Sequence, residues 1–115
     1  MTDIHAELAA IKERVEAATE GPWEAEPDGL IYPVKDGITE GCIAQANRPT
    51  RVFSDASFIA NARTDIPRLL AAVDAVLKAH YPEPYAQGPD YCAECEHRYP
   101  CFTVTAIHAA FEGRV

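Results

Sequence analysis

With 115 residues, the chain is long enough for one modest core and too short for two. Its 48% hydrophobic and 24% charged residues are the balance of a soluble globular domain, and no apolar run approaches the length of a membrane span. The formal net charge of −8 argues against a broad duplex-binding face, because duplex affinity comes mainly from Lys and Arg displacing counterions.

The start, MTDIHAEL, has neither the basic segment nor the apolar run of a secretory signal. The expected compartment is therefore the cytoplasm, where thiols stay reduced. Asp3 to Ala18 read as an amphipathic helix, with Ile4, Leu8, Ile11 and Val15 on one stripe. Thr2 or Asp3 caps it, and Gly21 with Pro22 ends it. His5 is expected in solvent.

From Trp23 to Val52 short apolar pieces alternate with Pro-Asp-Gly, Lys-Asp-Gly and Glu-Gly, which is turn chemistry. Strands are expected near Trp23–Glu26, Leu30–Val34 and Cys42–Ala46, in a small antiparallel meander. Pro33 should push the second strand to an edge or break it early. Cys42 reads as a small buried hydrophobe, and Trp23 as a cover over one end of the core. Glu24, Glu26, Asp28, Asp36 and Glu40 fall in turns or on exposed strand faces and are expected in solvent.

After NRPTR the chain turns helical. Ser54 caps a short helix with Phe58, Ile59 and Ala62 inward. Thr64 caps the next, where Pro67 sits in the first turn. Its stripe of Ile66, Leu69, Leu70, Val73, Val76 and Leu77 is the strongest in the sequence, and His80 closes it. The proline-rich YPEPYAQGPD is expected to be irregular. Last comes TVTAIHAAF, a helix capped by Thr103 with Val104, Ile107 and Phe111 inward. The class is α+β: an N-terminal helix, a small antiparallel sheet, two central helices, a loop and a short final helix. A single domain is expected, with residues 1–80 as its body and residues 81–115 as a tail packed on it.

That loop, YCAECEHRYPC, carries most of the chemistry. Cys92 and Cys95 stand in C-x2-C spacing, Cys101 follows, and His80 precedes them. Two cysteines so spaced can aim both sulfurs at one centre, with the loop's backbone N–H groups donating to them, and four N/S ligands suit Zn²⁺. A disulfide would leave one of the three cysteines over and is disfavoured in a reducing compartment. A thioredoxin-type centre lacks its strand-then-helix context, and an iron–sulfur site is a further alternative. For the fourth ligand the candidates are His80, His108 and His97. With all four positions filled by protein, no place remains for a reactive water, so the zinc would be structural.

No phosphate-loop, dinucleotide, metalloprotease or serine-hydrolase motif is present. The chain therefore reads as non-enzymatic, an enzyme with an unrecognised site being the alternative. Arg48, Arg51 and Arg63 flank a helix start, where anions bind, and this leaves a nucleotide ligand open. The oligomeric state is open as well.

Two segments carry a resemblance. ATEGPWEAEPDG followed by DASFIANARTDIPRLLAAVDAVL resembles the Ead-like group of small accessory proteins of tailed bacteriophages and prophages. HYPEP with YCAECEHRYPCFTVTAI resembles a tail of actinobacterial and actinophage proteins. Glu20 and Phe102 depart from these patterns, each standing where Pro is frequent. The resemblance covers most of the chain outside the middle sheet and implies His80, Cys92, Cys95 and Cys101 as the ligand set. It implies a phage-type accessory protein of the host cytoplasm and no particular activity; small size, acidity and the absence of catalytic motifs lead to the expectation that the chain binds a host protein without catalysis. An anti-defence protein that sequesters a signalling nucleotide is the alternative.

Overall fold

A computed structural model describes residues 3–35, 38–39 and 41–113. Thr2, Asp36 and Glu40 lie outside them. The elements are α1 (Ile4–Ala17), β1 (Trp23–Ala25), β2 (Leu30–Lys35), β3 (Ile38–Thr39), β4 (Ala44–Gln45), α2 (Val52–Ala79), β5 (Pro82–Glu83), β6 (Tyr91–Cys92) and α3 (Phe102–Phe111). This is an α+β arrangement. The chain falls into two compact units, Met1–Ala10 with Leu70–Val115, and Ile11–Leu69.

In the first unit, Asp3 caps α1: its Oδ1 accepts from the backbone N–H of His5 at 3.0 Å and of Ala6 at 3.3 Å. Two otherwise unpaired donors of the first turn are thereby satisfied. Ile4 and Leu8 are buried with Leu77, Val104, Cys92 and Cys101, while Val73, Ile107 and Phe111 pack against them. A core this small is the situation in which a metal or a disulfide commonly supplies the remaining stability.

The second unit centres on β2, which pairs antiparallel with β1, β3 and β4. Contrary to the expectation from Pro33, β2 is neither an edge nor broken. β4 pairs with Leu30 and Ile31 while β3 pairs with Val34 and Lys35. Pro33 falls in the interval between them, so its missing N–H interrupts neither ladder. Gly29 closes the turn into β2 at φ +94°, where an added Cβ would strike the Ala46 carbonyl oxygen. Ile31 is fully buried against Ala56 and Ala60 of α2, with Trp23, Ala25, Ile43 and Ala46 around it.

The expected break between two central helices is absent. α2 runs 28 residues with Thr64 and Pro67 inside it. Within the Ile11–Leu69 unit its inward positions, Ala56, Ala60, Thr64 and Pro67, recur every three or four residues without a phase slip. That continuous register carries the helix past the one backbone bond that Pro67 cannot donate. Ser54 likewise lies within the helix, not at its cap.

Two further expectations are corrected by burial. Phe58 and Ile59 were expected inward, yet Phe58 is 76% exposed and Ile59 also faces out. The sheet packs on the small side chains of Ala56 and Ala60, and Phe58 stands about 200° round the helix from Ala56. Of the expected stripe, Ile66, Leu69 and Val76 are exposed too. Cys42 is exposed rather than buried, its Sγ donating to the Ala44 carbonyl at 2.9 Å. Pro82–Glu83, expected to be irregular, pairs with Tyr91–Cys92 in a two-stranded ribbon. The start of α3 also differs: Cys101, not Thr103, holds the N-cap position.

Candidate metal centre

Three elements of the first unit deliver the ligands. His80 directly follows α2, its backbone N–H donating to the Val76 carbonyl at 3.0 Å. Cys92 closes the ribbon at β6 and opens a tight loop in which the Glu96 N–H returns to the Cys92 carbonyl at 2.9 Å. The Cys92 N–H in turn donates to the His97 carbonyl at 2.7 Å. Glu96 takes φ 61° to make that return, a left-handed conformation that is costly for a residue with a side chain. Cys101 sits at the N-cap of α3 with extended backbone and makes no side-chain cap hydrogen bond, so its thiol is directed elsewhere.

These three sulfurs and one imidazole converge. The ligand atoms of His80, Cys92, Cys95 and Cys101 all lie within 4.8 Å of one another. His80 Nδ1 is 3.3 Å from Cys92 Sγ and 3.5 Å from Cys101 Sγ. A tetrahedral ion with ordinary Zn–S and Zn–N bond lengths holds such atoms about 3.6 Å apart. The group can hold a metal ion. The four cysteines are free thiols, so the cluster is not a disulfide. His97 is exposed, and His108, whose Nδ1 is enclosed without a hydrogen-bond partner, stands outside the cluster. Of the three histidines weighed as fourth ligand, the fold brings His80 to the sulfurs.

The loop prepares one sulfur for charge. Burial alone would push the Cys92 thiol up. The backbone N–H groups of Cys95 and Glu94, with the side chains of Cys95 and His80, outweigh it and bring the thiol from 9.0 down to about 6. For Cys95 the His97 backbone pulls down, but burial and the neighbouring Cys92 and Cys101 prevail and hold it up. Burial, and then the charge of Cys101 and Cys92, also push up the phenol of Tyr99. One thiolate thus forms readily, and a second beside it needs a cation, as expected where several sulfurs share one ion.

The remaining sequence candidates are scattered. Glu24, Glu26 and Asp28 are exposed, as expected. Trp23 packs against the Ile31 cluster and donates its Nε1–H to the Thr19 carbonyl at 3.1 Å. Arg63 donates Nε–H to the same carbonyl at 2.8 Å, its guanidinium 6.0 Å from the Trp23 ring centroid. The loop N–H groups expected to donate to the C-x2-C sulfurs are, at Cys92, those of Cys95 and Glu94. Among the described residues no helix is long and apolar enough to cross a membrane.

Fold and site together define a small α+β protein with a Cys3His cluster able to hold a metal ion. No protein-family model matches the chain, and neither a curated protein nor a solved structure matches it.

Proposed function

We propose that His80, Cys92, Cys95 and Cys101 hold a structural Zn²⁺ and that the protein is a small phage-type accessory protein binding a host protein without catalysis. The convergence of the four ligand atoms within 4.8 Å carries the metal assignment. Three thiolates and one neutral imidazole complete a tetrahedral shell, leaving no position for a nucleophilic water. The ion acts as a staple: its binding free energy becomes folding free energy for a unit whose core is small. Three features support the host-binding role: the resemblance of two long segments to phage and prophage proteins, the acidic charge, and the exposed apolar side chains of α2. Arg63, one of the arginines behind the nucleotide reading, lies well inside α2 (Val52–Ala79) and not at the helix start, so the helix-start anion site loses one of its cations.

Elemental analysis of the purified protein tests the metal: one zinc per chain is expected, and none in Cys101→Ser. Protein purified without any bound metal, folded to the same extent, would overturn the assignment. Capture from an actinobacterial lysate tests the role, with a discrete host protein expected on the immobilised chain. Recovery no different from blank resin would count against it.

A further inference from the structure

We propose that the apolar groove between α1 and α2 in the Ile11–Leu69 unit is the docking site for an amphipathic helix of a partner protein, one with acidic residues beside its apolar stripe. The proposal rests on the host-protein reading and specifies its surface. The groove has a volume of about 580 Å³ and is lined by Ile11 and Val15 of α1, Phe58 and Ile66 of α2, and Trp23. That volume falls within the range of about 300–1,000 Å³ typical of binding pockets.

Charge complementarity selects the occupant. Among the described residues, the only charged ones lining the groove are Arg14 and Arg63, in a chain with 18 acidic and 10 basic residues. Among the described residues neither arginine makes an ion pair with a carboxylate. Arg63 is already positioned, its Nε held by the Thr19 carbonyl at 2.8 Å and its guanidinium 6.0 Å from the Trp23 ring centroid. A guanidinium so held loses less freedom on meeting a carboxylate. Trp and Arg are also the residues that most often anchor interfaces.

Shape selects the helix. The exposed apolar side chains continue past the groove from Phe58 through Ile66 to Leu69, which is 66% exposed. That strip covers roughly 16 Å of α2 at 1.5 Å per residue, the length of two to three turns of a partner helix lying along it. Helix-in-groove recognition reads such a strip through apolar anchors at helical spacing. A second copy of this chain is the poorer occupant, since each copy carries −8 and like-charged chains repel.

Trp23 is the sole tryptophan, so its emission reports occupancy of the groove. The ligands to titrate are a stapled helical peptide with Leu on one stripe and Glu beside it, and a twin with Lys in place of Glu. The Glu peptide is expected to shift the emission saturably, with the Lys twin at least about tenfold weaker. Arg14→Glu, at an exposed side chain, is expected to erase that preference, and Phe58→Asp to abolish binding of both, each with unchanged helix content by circular dichroism. Equal affinity of the wild-type chain for the two peptides, no saturable response, or a response to a fatty acid alone would overturn the proposal. A concentration-dependent dimer that Phe58→Asp dissolves would overturn it in favour of a second copy. A host protein captured equally by wild type and Phe58→Asp would also overturn the groove while leaving host binding intact. Tight Glu-peptide binding without any captured host protein would uphold the groove and remove the host role.

Discussion

The Nδ1 atom of His80 lies 3.3 Å from the Sγ atom of Cys92, although twelve positions separate the two residues. The end of one helix and the closing strand of a ribbon meet there, joined by the start of α3 at Cys101. Packing of Ile4, Leu8, Leu77 and Val104 beside them holds the three elements together. An ion bound between them would oppose separation of any two.

Loss of a ligand is therefore expected to cost far more than loss of a comparable thiol elsewhere. Cys92→Ser and Cys101→Ser should release the metal and lower Tm by about 10 °C or more, reflecting several kcal/mol of coupled folding energy. Cys42→Ser and His97→Ala, both at exposed side chains, should change neither. Metal content by mass spectrometry and thermal melts decide the matter; full metal retention in Cys101→Ser would exclude that residue as a ligand.

In the metal-free protein one thiol should titrate near pH 6, the value to which Cys92 is brought down from 9.0. Its pKa is lower folded than unfolded, so its contribution to stability is fully present above pH 9 and is lost as pH falls through 6. Thiolate absorbance at 240 nm should rise with that midpoint and the early step should vanish in Cys92→Ser. Cys95, pushed the other way, should lose its proton later. A single step near the ordinary thiol value would contradict the role given to the loop N–H groups.

Glu96 occupies left-handed backbone at φ 61°. Glycine adopts that conformation without a Cβ penalty, so Glu96→Gly is expected to raise stability by up to about 1 kcal/mol, the gain trimmed by a freer unfolded chain. Glu96→Val, β-branched, should lower it by about 1–2 kcal/mol. Chemical melts of the zinc-loaded variants give both numbers. Equal stability of the two variants would show that the loop relaxes to another conformation.

Gly29 is the corresponding test for the sheet. At φ +94°, a Cβ there would meet the Ala46 carbonyl oxygen and come within 2.6 Å of Val52 Cγ1. Gly29→Ala is expected to cost about 2 kcal/mol or more, from strain and overpacking together. Gly41→Ala, with nothing within 4 Å of its added Cβ, is the control and should be near neutral in urea melts. A Gly29→Ala protein as stable as Gly41→Ala would mean that the turn rebuilds at little cost.

Local patterns foretold much of the fold. The first helix, its Asp3 cap, three of the strands and the inward face of α3 follow from periodicity and turn residues, which act over a few positions. Errors arose where a local signal competes with a neighbour. Pro33 reads as a strand breaker unless the partners β3 and β4 are known to leave a gap opposite it. Thr64 and Pro67 read as a helix start unless the inward register of α2 is seen to continue through them.

Composition and spacing alone determined the class of the chain and the residue types of the candidate centre, because three cysteines in one loop constrain their own chemistry. Tertiary structure decided what spacing leaves free. Three histidines were within reach along the chain, and only packing in three dimensions set His80 against the sulfurs while turning His97 to solvent. It likewise turned Phe58 outward, since a helix buries whichever face its sheet can approach closely. Here that face is Ala56 and Ala60.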